Sequence, residues 1–534
     1  MNAKVRSLTQ GGLKGNVTDY LFARSLENSR GTRPYLITPD RVWSFQQLAD
    51  RAGQIANFLI SIGIKPRQRV LFSVVDGVDF PALFLGTMRI GAIAIPINTY
   101  LKPHDYAYYI RDSECTAVIA DHTLALAIAA LRSEFPKVKH IVSASQRVDG
   151  LPFLDDEIAG CKPDCESFPT NPDDMAFWLY SSGSTGSPKG VIHTGNHIYW
   201  ATELFGSGAM KMKEDDVILS PPKMYFAFGL GCQVYFPIRM GARNIVNPDP
   251  ISPDTVWKLW LEHEPTIIIG VPTLFAALLR IAEEKIGAER VRQASRRLRY
   301  CISGGEILPA ALMERWRKFA DVQILDGVGT TEMTHMFMLN LLGRTVPGSC
   351  GQLVEGYRAE LVDDEGAPVA QGEIGNLRAF GPTAAEQYWN KPEKTAEVMG
   401  RGGVLTGDKM YRDADGNYFL VGRSDDMLRV GGIWVSPAEV ESTIAQHESV
   451  LECAVIGQPD DEGMIKPKAF VVLRNAEGSD TLKLTDQLRD HIRSQLAHFK
   501  CPRWFEFVDE LPKTSTGKIQ RFRLRQLHGA SAQK

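Results

Sequence analysis

The run Tyr180-Ser181-Ser182-Gly183-Ser184-Thr185-Gly186-Ser187-Pro188-Lys189-Gly190 constrains this chain more than any other segment. It carries three glycines, five hydroxyls and one lysine, and it follows the strand-like apolar run Met175-Ala176-Phe177-Trp178-Leu179. Such a loop offers bare backbone N–H groups, hydroxyl donors and a point charge to a polyphosphate. It is not a Walker A loop, because Pro188 precedes the lysine and Gly190 follows it where that motif needs Ser or Thr. A flexible Ser/Gly linker has a similar composition. This run, however, leads directly into Val191-Ile192-His193 within globular sequence, where a linker does not belong.

Five later segments carry chemistry of the same kind. Ser303-Gly304-Gly305-Glu306 follows the strand-like Leu298 to Ile302, and its glycines let backbone approach a flat base closely. Ile324-Leu325-Asp326-Gly327-Val328-Gly329-Thr330-Thr331-Glu332 is a strand running into a polar turn, and read alone its end is also a plain helix start. Thr406-Gly407-Asp408, then Gly422-Arg423-Ser424-Asp425-Asp426-Met427-Leu428-Arg429-Val430-Gly431-Gly432, then Leu511-Pro512-Lys513-Thr514-Ser515-Thr516-Gly517-Lys518-Ile519 complete the series. Taken singly, the last would read as a solvated surface lysine.

In this order the six segments resemble the motifs of the adenylate-forming superfamily, which includes acyl-CoA synthetases, adenylation domains and luciferases. The resemblance implies that Ser181, Ser182, Gly183, Ser184, Thr185, Gly186 and Lys189 bind the ATP phosphates. It implies that Gly304, Gly305, Glu306, Asp326 and Gly327 sandwich the adenine, that Asp408 takes the ribose hydroxyls, and that Arg423 contacts the nucleotide. Thr331 would bond the α-phosphate and Glu332 would hold Mg2+, a hard cation suited to one or two carboxylates plus phosphate oxygens. Lys518 would act in adenylation, Asp425 would be the hinge, and Arg429, Gly431 and Gly432 would serve the second half-reaction with coenzyme A.

At 534 residues the chain is too long for one core. Strand-like runs at Val70-Leu71-Phe72, Val118-Ile119-Ala120, Ile267-Ile268-Ile269 and Val322-Gln323-Ile324-Leu325 alternate with amphipathic stretches. One of these opens on the capping-box pattern Ser44-Phe45-Gln46-Gln47 and sets Leu48, Ala52, Ile55, Ala56 and Leu59 on one helical face. The expected fold is α/β: a large layered N-terminal domain, residues 1–424, with parallel-rich sheets. A small β-barrel-like part falls in its strand-rich stretch from Tyr357, where turns are predicted at Asp364-Glu365-Gly366 and Asp415-Gly416-Asn417. Residues 425–534 form a mobile α+β C-terminal domain carrying the lysine.

A net charge of −3 gives no electrostatic case for nucleic acid or an anionic membrane. The most lipophilic stretch, Phe80 to Ile97, is broken by Pro81, Gly86, Arg89, Gly91 and Pro96 and reads as buried helix and strand rather than a membrane span. Met1 to Gly12 has no signal-type apolar core, and the eight cysteines are scattered, so a cytoplasmic protein with reduced thiols is expected. The family likeness adds a homodimer.

The implied activity is that of an AMP-forming acid–thiol ligase. A carboxylate is converted to an acyl-adenylate with ATP, and the thiol of coenzyme A then displaces AMP. Tyr225-Phe226-Ala227-Phe228-Gly229-Leu230-Gly231 occupies the place of the family's acyl pocket, which would continue into Met333-Thr334-His335-Met336-Phe337. The phrases around Tyr180, His193, Tyr199-Trp200, Ala227-Phe228 and His335 resemble the benzoate–CoA ligase branch, whose members serve aromatic acid degradation. That likeness sets Ala227, Phe228, Gly327, His335 and Met336 around the ring of an aromatic carboxylate. Phe228 departs from the tyrosine usual there, which leaves substituted benzoates open, with His335 or Thr334 as polar partner for a ring hydroxyl. Alicyclic or medium-chain acids also remain open, as does a carrier-protein thiol as acceptor. The absence of a carrier domain after Lys534 favours free coenzyme A. A non-catalytic nucleotide-binding protein would be expected to lack Lys518, Glu332 or Asp408, and all three are here.

Overall fold

Residues 12–101, 103–181, 188–249, 251–424, 426–430, 433–460, 464–474, 480–513 and 519–529 are described by a computed structural model. The chain divides into two compact units, Met1–Ala359 with Arg378–Leu405, and Glu360–Leu377 with Thr406–Lys534. The sequence reading instead turns the chain at Asp425, which lies outside the described residues.

Two sheets build the first unit. In the six-stranded sheet the order is His140–Ser143, Ala117–Ala120, Arg69–Ser73, Ile93–Pro96, Met175–Ser181 and Lys189–Thr194. Its first five strands are parallel, and only the last pair is antiparallel. The nine-stranded sheet runs Gln352–Leu353, Met336–Leu339, Ile324–Gly329, Tyr300–Gly304, Ile267–Gly270, Val217–Leu219, Arg243–Ile245, Pro34–Ile37 and Val42–Ser44. It is parallel through the middle and antiparallel at both ends. Central parallel strands covered on both faces should be apolar throughout rather than alternating. Ile267–Gly270 and Ala117–Ala120 are buried at every position.

The helices follow their caps and apolar stripes. Phe45–Ser61 opens on the expected capping box, with Ser44 and Gln47 exchanging side-chain and backbone bonds, and it buries Leu48, Ala52, Ile55, Ala56 and Leu59. Phe80 to Ile97 resolves into the buried helix Asp79–Arg89 and the strand Ile93–Pro96. The strand expected from Val322 starts two residues later, at Ile324. Asp321, in the left-handed region at φ 56°, is still closing the helix Ala310–Ala320.

The second unit holds most of a four-stranded sheet, Arg358–Val362, Gly375–Phe380, Val404–Arg412 and Tyr418–Arg423, with turns where the sequence predicts them. Beyond it, Val450–Pro459 pairs antiparallel with Ile465–Leu473, which pairs parallel with Trp504–Phe507. Helices Pro437–Ile444 and Thr481–Gln495 pack Val440, Ile444, Leu488 and Ile492 onto Val455 and Val471 of these strands.

One buried polar element in the first unit bears on stability. Thr194 and His197 form a capping box that starts the helix Gly195–Trp200. The Nδ1 of His197 accepts from the Thr194 N–H at 3.3 Å, so the Nδ1–H of His193 is the donor in their 3.2 Å contact. His193 Nδ1 also lies 3.1 Å from the hydroxyl of Thr334, which itself donates to the Thr383 carbonyl at 2.8 Å. Burial pushes His197 down to about 4 and, with the neighbouring His197 ring, pushes His193 well below its ordinary value. Unfolded, each ring takes up a proton near pH ~6.5. Between there and about 4 the unfolded chain therefore binds more protons than the folded one, and stability falls as pH falls through that window. Urea midpoints measured from pH 7.5 to 4.5 should show this loss, and in His197→Gln the dependence should flatten by about 1 kcal/mol per pH unit.

Candidate active site

The strands Met175–Ser181 and Lys189–Thr194 are antiparallel, with Ser181 opposite Lys189 and Tyr180 opposite Gly190. The loop between them leaves the sheet from this pair. Its Ser182, Gly183, Ser184, Thr185 and Gly186 lie outside the described residues. Ser181, which is described, points its hydroxyl at Glu332, donating to Oε1 at 3.1 Å.

Glu332 sits in the short turn Thr331–Met333 just after the strand Ile324–Gly329 of the other sheet. Two further hydroxyls hold its carboxylate: Tyr388 donates to Oε1 at 2.8 Å and Thr330 donates to Oε2. The turn's backbone is fixed too, by Thr330 Oγ1 accepting from the Glu332 N–H and by Ala385 N–H donating to the Glu332 carbonyl at 2.8 Å. Tyr388 arrives through a bridge to Val191 and the bond from Trp389 N–H to the Gly190 carbonyl, and its ring lies 5.4 Å beneath the Lys189 ammonium. Ser181, Lys189 and Glu332 are thus brought together, and Thr331 lies between Thr330 and Glu332. All three holding hydroxyls are neutral donors, so they satisfy lone pairs on Glu332 without supplying a counter-charge.

Three residues after Glu332 the chain builds an apolar enclosure. Thr334 stands at φ 66°, a costly position for a β-branched residue, held by the bonds to His193 and Thr383. His335 is buried among Phe205, Phe236 and Phe228, with ring centroids 4.8, 4.7 and 5.8 Å away. Its Nε2 lies 3.3 Å from the Phe228 carbonyl and 3.6 Å from Cys232 Sγ. The ring also lies against Gly231, where a Cβ would come within 2.4 Å of Cδ2. Met336 lies opposite Gly329 in the strand pairing, and its Cε fills the space that a side chain at Gly304 would need. Gly304 in turn stands opposite Gly327. His335 thus meets Phe228, and the adjacent Met336 meets Gly304, which pairs with Gly327, while Ala227 and Phe228 are only half-buried at the start of the helix Ala227–Leu230.

Asp326 does not offer an exposed carboxylate, since burial pushes its carboxyl well up. Gly305 is exposed at φ 85° and Glu306 is half-buried beside it. In the second unit Asp408 and Arg423 face each other across antiparallel strands, joined by an ion pair at 3.0 Å, and Arg423 also donates to the Thr406 carbonyl at 2.8 Å. Arg429 lies on the short strand Leu428–Val430. Asp425, Gly431, Gly432 and Lys518 lie outside the described residues.

Sequence reasoning missed Thr330 and Tyr388. Thr330 had a local signal, a hydroxyl two residues before an acidic one at a turn start. Tyr388 had none, because it reaches Glu332 from 56 residues away. Among the described residues no group of three or more His, Cys, Asp or Glu side chains is placed to hold a metal, so the fit for Mg2+ is a single carboxylate completed by phosphate oxygens.

Residues 22–389 match the AMP-binding enzyme family and residues 439–518 match the AMP-binding enzyme C-terminal domain. The chain is 41% identical over 513 residues to a benzoate–CoA ligase of Thauera aromatica, spanning 96% of this chain and 95% of that one. It is 38% identical over 504 residues to a 4-hydroxybenzoate–CoA/benzoate–CoA ligase of Rhodopseudomonas palustris, with coverages of 94% and 92%. An anthranilate CoA ligase solved with anthranoyl-AMP superposes at a TM-score of 0.91, with 39% identity over 98% of this chain and 99% of that one. A benzoate CoA ligase from Burkholderia xenovorans LB400 gives 0.86, 37%, 96% and 99%. With both parts of the family matched in order and full-length relatives at 41% and 38% identity, the chain belongs to the adenylate-forming AMP-binding enzymes, on their benzoate–CoA ligase branch.

Proposed function

We propose that this protein is an AMP-forming ligase that joins an aromatic carboxylic acid, benzoate or a ring-substituted benzoate, to coenzyme A. The observation that carries this reading is the adjacency of Glu332, held by Ser181 and Tyr388, to the His335–Phe228–Met336 wall on one continuous segment. Phosphate chemistry and ring recognition are thereby separated by three residues of chain.

In the first step a carboxylate oxygen of the acid attacks the α-phosphorus of ATP, the bond to the bridging oxygen breaks, and pyrophosphate leaves. Both reactants are anions, so the step needs positive charge and alignment more than it needs a protein nucleophile. MgATP supplies the cation, and Glu332 is the carboxylate suited to it. Lys189, Thr331 and the 181–186 loop line the phosphates, and Asp408 and Arg423 take the ribose end of the nucleotide. Lys518 meets the acid's carboxylate and the α-phosphate. In the second step the coenzyme A thiol, losing its proton to solvent, attacks the acyl carbon, the bond from that carbon to the AMP phosphate oxygen breaks, and AMP departs. A turn of the C-terminal domain about Asp425 withdraws Lys518 and brings Arg429, Gly431 and Gly432 to the site.

The ring is best read as one bearing a hydrogen-bond donor. Burial pushes His335 down to about 3, so the ring is neutral. Its Nε2–H donates to the Phe228 carbonyl, which leaves Nδ1 as a bare acceptor, buried and without a partner among the described residues. A hydroxyl or amino substituent would satisfy it, whereas a methoxy group of similar size would not. Thr334 is already committed to His193 and Thr383.

A cytoplasmic location and a homodimer complete the proposal. All eight cysteines are free, Cys161 and Cys165 included, and no helix among the described residues is long and apolar enough to cross a membrane. Sedimentation of the purified protein decides the dimer.

The deciding assay offers benzoate, its hydroxylated isomers, 2-aminobenzoate, methoxybenzoates, cyclohexanecarboxylate and hexanoate together with ATP, Mg2+ and coenzyme A, and reads the products by mass spectrometry. A hydroxy- or aminobenzoyl-CoA should dominate, and His335→Phe should remove its advantage over benzoyl-CoA. Dominant hexanoyl-CoA would refute the aromatic pocket, and adenylate accumulating without thioester would point to a carrier-protein acceptor. In separate half-reactions, Lys518→Ala should slow adenylation by about 10²-fold or more while sparing thioester formation from preformed adenylate. Equal losses in both would remove Lys518 from the role assigned to it. Glu332→Gln should likewise lower adenylation and raise the Mg2+ concentration needed for half-maximal rate.

A further inference from the structure

Directly ahead of the aromatic segment lies a buried ion pair that the reaction does not use. Lys223, with 11% of its side chain exposed, places Nζ 3.5 Å from Oδ2 of Asp76, which is 2% exposed. The same ammonium donates to the carbonyls of Asn247 and Asp249, at 3.3 Å each, so its three N–H groups meet three acceptors. The other oxygen of Asp76 accepts from the Met224 N–H at 3.2 Å. One carboxylate thus grips both the side chain of residue 223 and the backbone of residue 224, and Tyr225 is the next residue.

The far side of this segment is fixed as tightly. Gln233, itself buried, donates from Nε2 to the Pro222 carbonyl at 2.6 Å, while its own carbonyl accepts from Tyr35 Oη and Asn244 Nδ2. The Lys223 carbonyl accepts from Phe226 N–H and presses on Gly229, where a Cβ would stand only 2.1 Å away. Residues 222–230 therefore form a closed wrap, and Ala227 and Phe228 ride on it.

A buried ion pair is a poor way to stabilise a fold, because removing two charges from water offsets most of their attraction. What such a pair does well is to fix one arrangement among several. Asp76 follows the strand Arg69–Ser73 of the six-stranded sheet, and Lys223 follows Val217–Leu219 of the nine-stranded sheet. We infer that the Lys223–Asp76 pair is a positioning device for the acyl pocket: it locks the Tyr225–Phe228 wall to the six-stranded sheet and so sets which acids fit. This rests on the aromatic-acid reading given above.

The test compares Lys223→Met, the double variant Asp76→Asn/Lys223→Met and the charge-retaining Lys223→Arg with the native enzyme. Steady-state constants are taken for the preferred aromatic acid, for hexanoate and for ATP, and Tm is recorded for each protein. Misplacing a substrate by on the order of 1 Å can lower rates by up to about 10²-fold. The double variant, free of uncompensated charge, should fold with near-native Tm yet show KM for the aromatic acid raised about tenfold, KM for ATP within about twofold, and weakened discrimination against hexanoate. Lys223→Arg should recover most of the loss. A folded double variant with native acid KM and discrimination would overturn the inference. Equal rises in both KM values would do the same, and failure of the double variant to fold would make the pair a stability element only. If the native enzyme makes no aryl-CoA, the functional reading itself has failed, whatever the variants do.

Discussion

The carboxylate of Glu332 is the joint at which the first unit's two sheets are tied together. It follows the last long strand of the nine-stranded sheet, and the hydroxyl that reaches it first, Ser181, ends a strand of the six-stranded sheet. Two sheets built from separate stretches of chain are therefore registered on one anionic group at the point where the 182–187 loop departs. Tyr388 closes the triangle by pairing with Val191 on one side and Glu332 on the other. Because hydroxyl donors carry no net charge, this joint fixes the carboxylate's position without cancelling its charge. A lysine in any of the three holding places would have fixed Glu332 as well but cancelled its charge.

The aromatic enclosure depends on the opposite treatment of polarity. His335 can pack among three phenylalanine rings only as neutral imidazole, and burial keeps it so. The two histidines behind the turn, His193 and His197, are kept neutral by the same burial and spend their hydrogen bonds on Thr194 and Thr334. The strained Thr334 is where these meet: its positive φ carries the chain from the half-buried turn at Thr331 to buried His335 within four residues. A strained backbone at this point is consistent with a segment whose surroundings over-determine it.

How much of this was legible in the sequence varies with distance along the chain. The turn at 303–306 and the Asp326–Glu332 run are ordinary when read alone and gain meaning only from their order in the family likeness, whereas the loop at 180–190 is contiguous, so residue type and spacing suggest its chemistry locally. The helix Phe45–Ser61 was legible for the same reason, since its cap and stripe are properties of one segment. The wall of Phe228 and His335 could be anticipated only through family likeness, since 107 residues separate them. Tyr388 at Glu332, and Lys223 with Asp76, were illegible. An isolated tyrosine or an isolated acid–base pair separated by long stretches of chain has no local pattern, and only the pairing of strands brings such groups together. The start of the strand at Ile324 rather than Val322 is a smaller case, decided by the left-handed Asp321 that ends the preceding helix.

The two ties between the sheets also divide the electrostatics of the site. A bare Asp76 would repel any anion near the Tyr225 segment, since its carboxylate already accepts from the Met224 N–H. The ammonium of Lys223 removes that repulsion by cancelling the charge where it stands. Glu332 receives no such cancellation from Ser181, Thr330 or Tyr388, and a carboxylate held this way repels any anion brought near it. That repulsion reverses for a cation, which an uncancelled carboxylate attracts. One tie between the sheets therefore has its charge cancelled where it stands, and the other is held by neutral hydroxyls alone. The two ends of the Glu332–His335 segment differ accordingly, with a carboxylate among hydroxyls at one and a neutral imidazole among phenylalanine rings at the other.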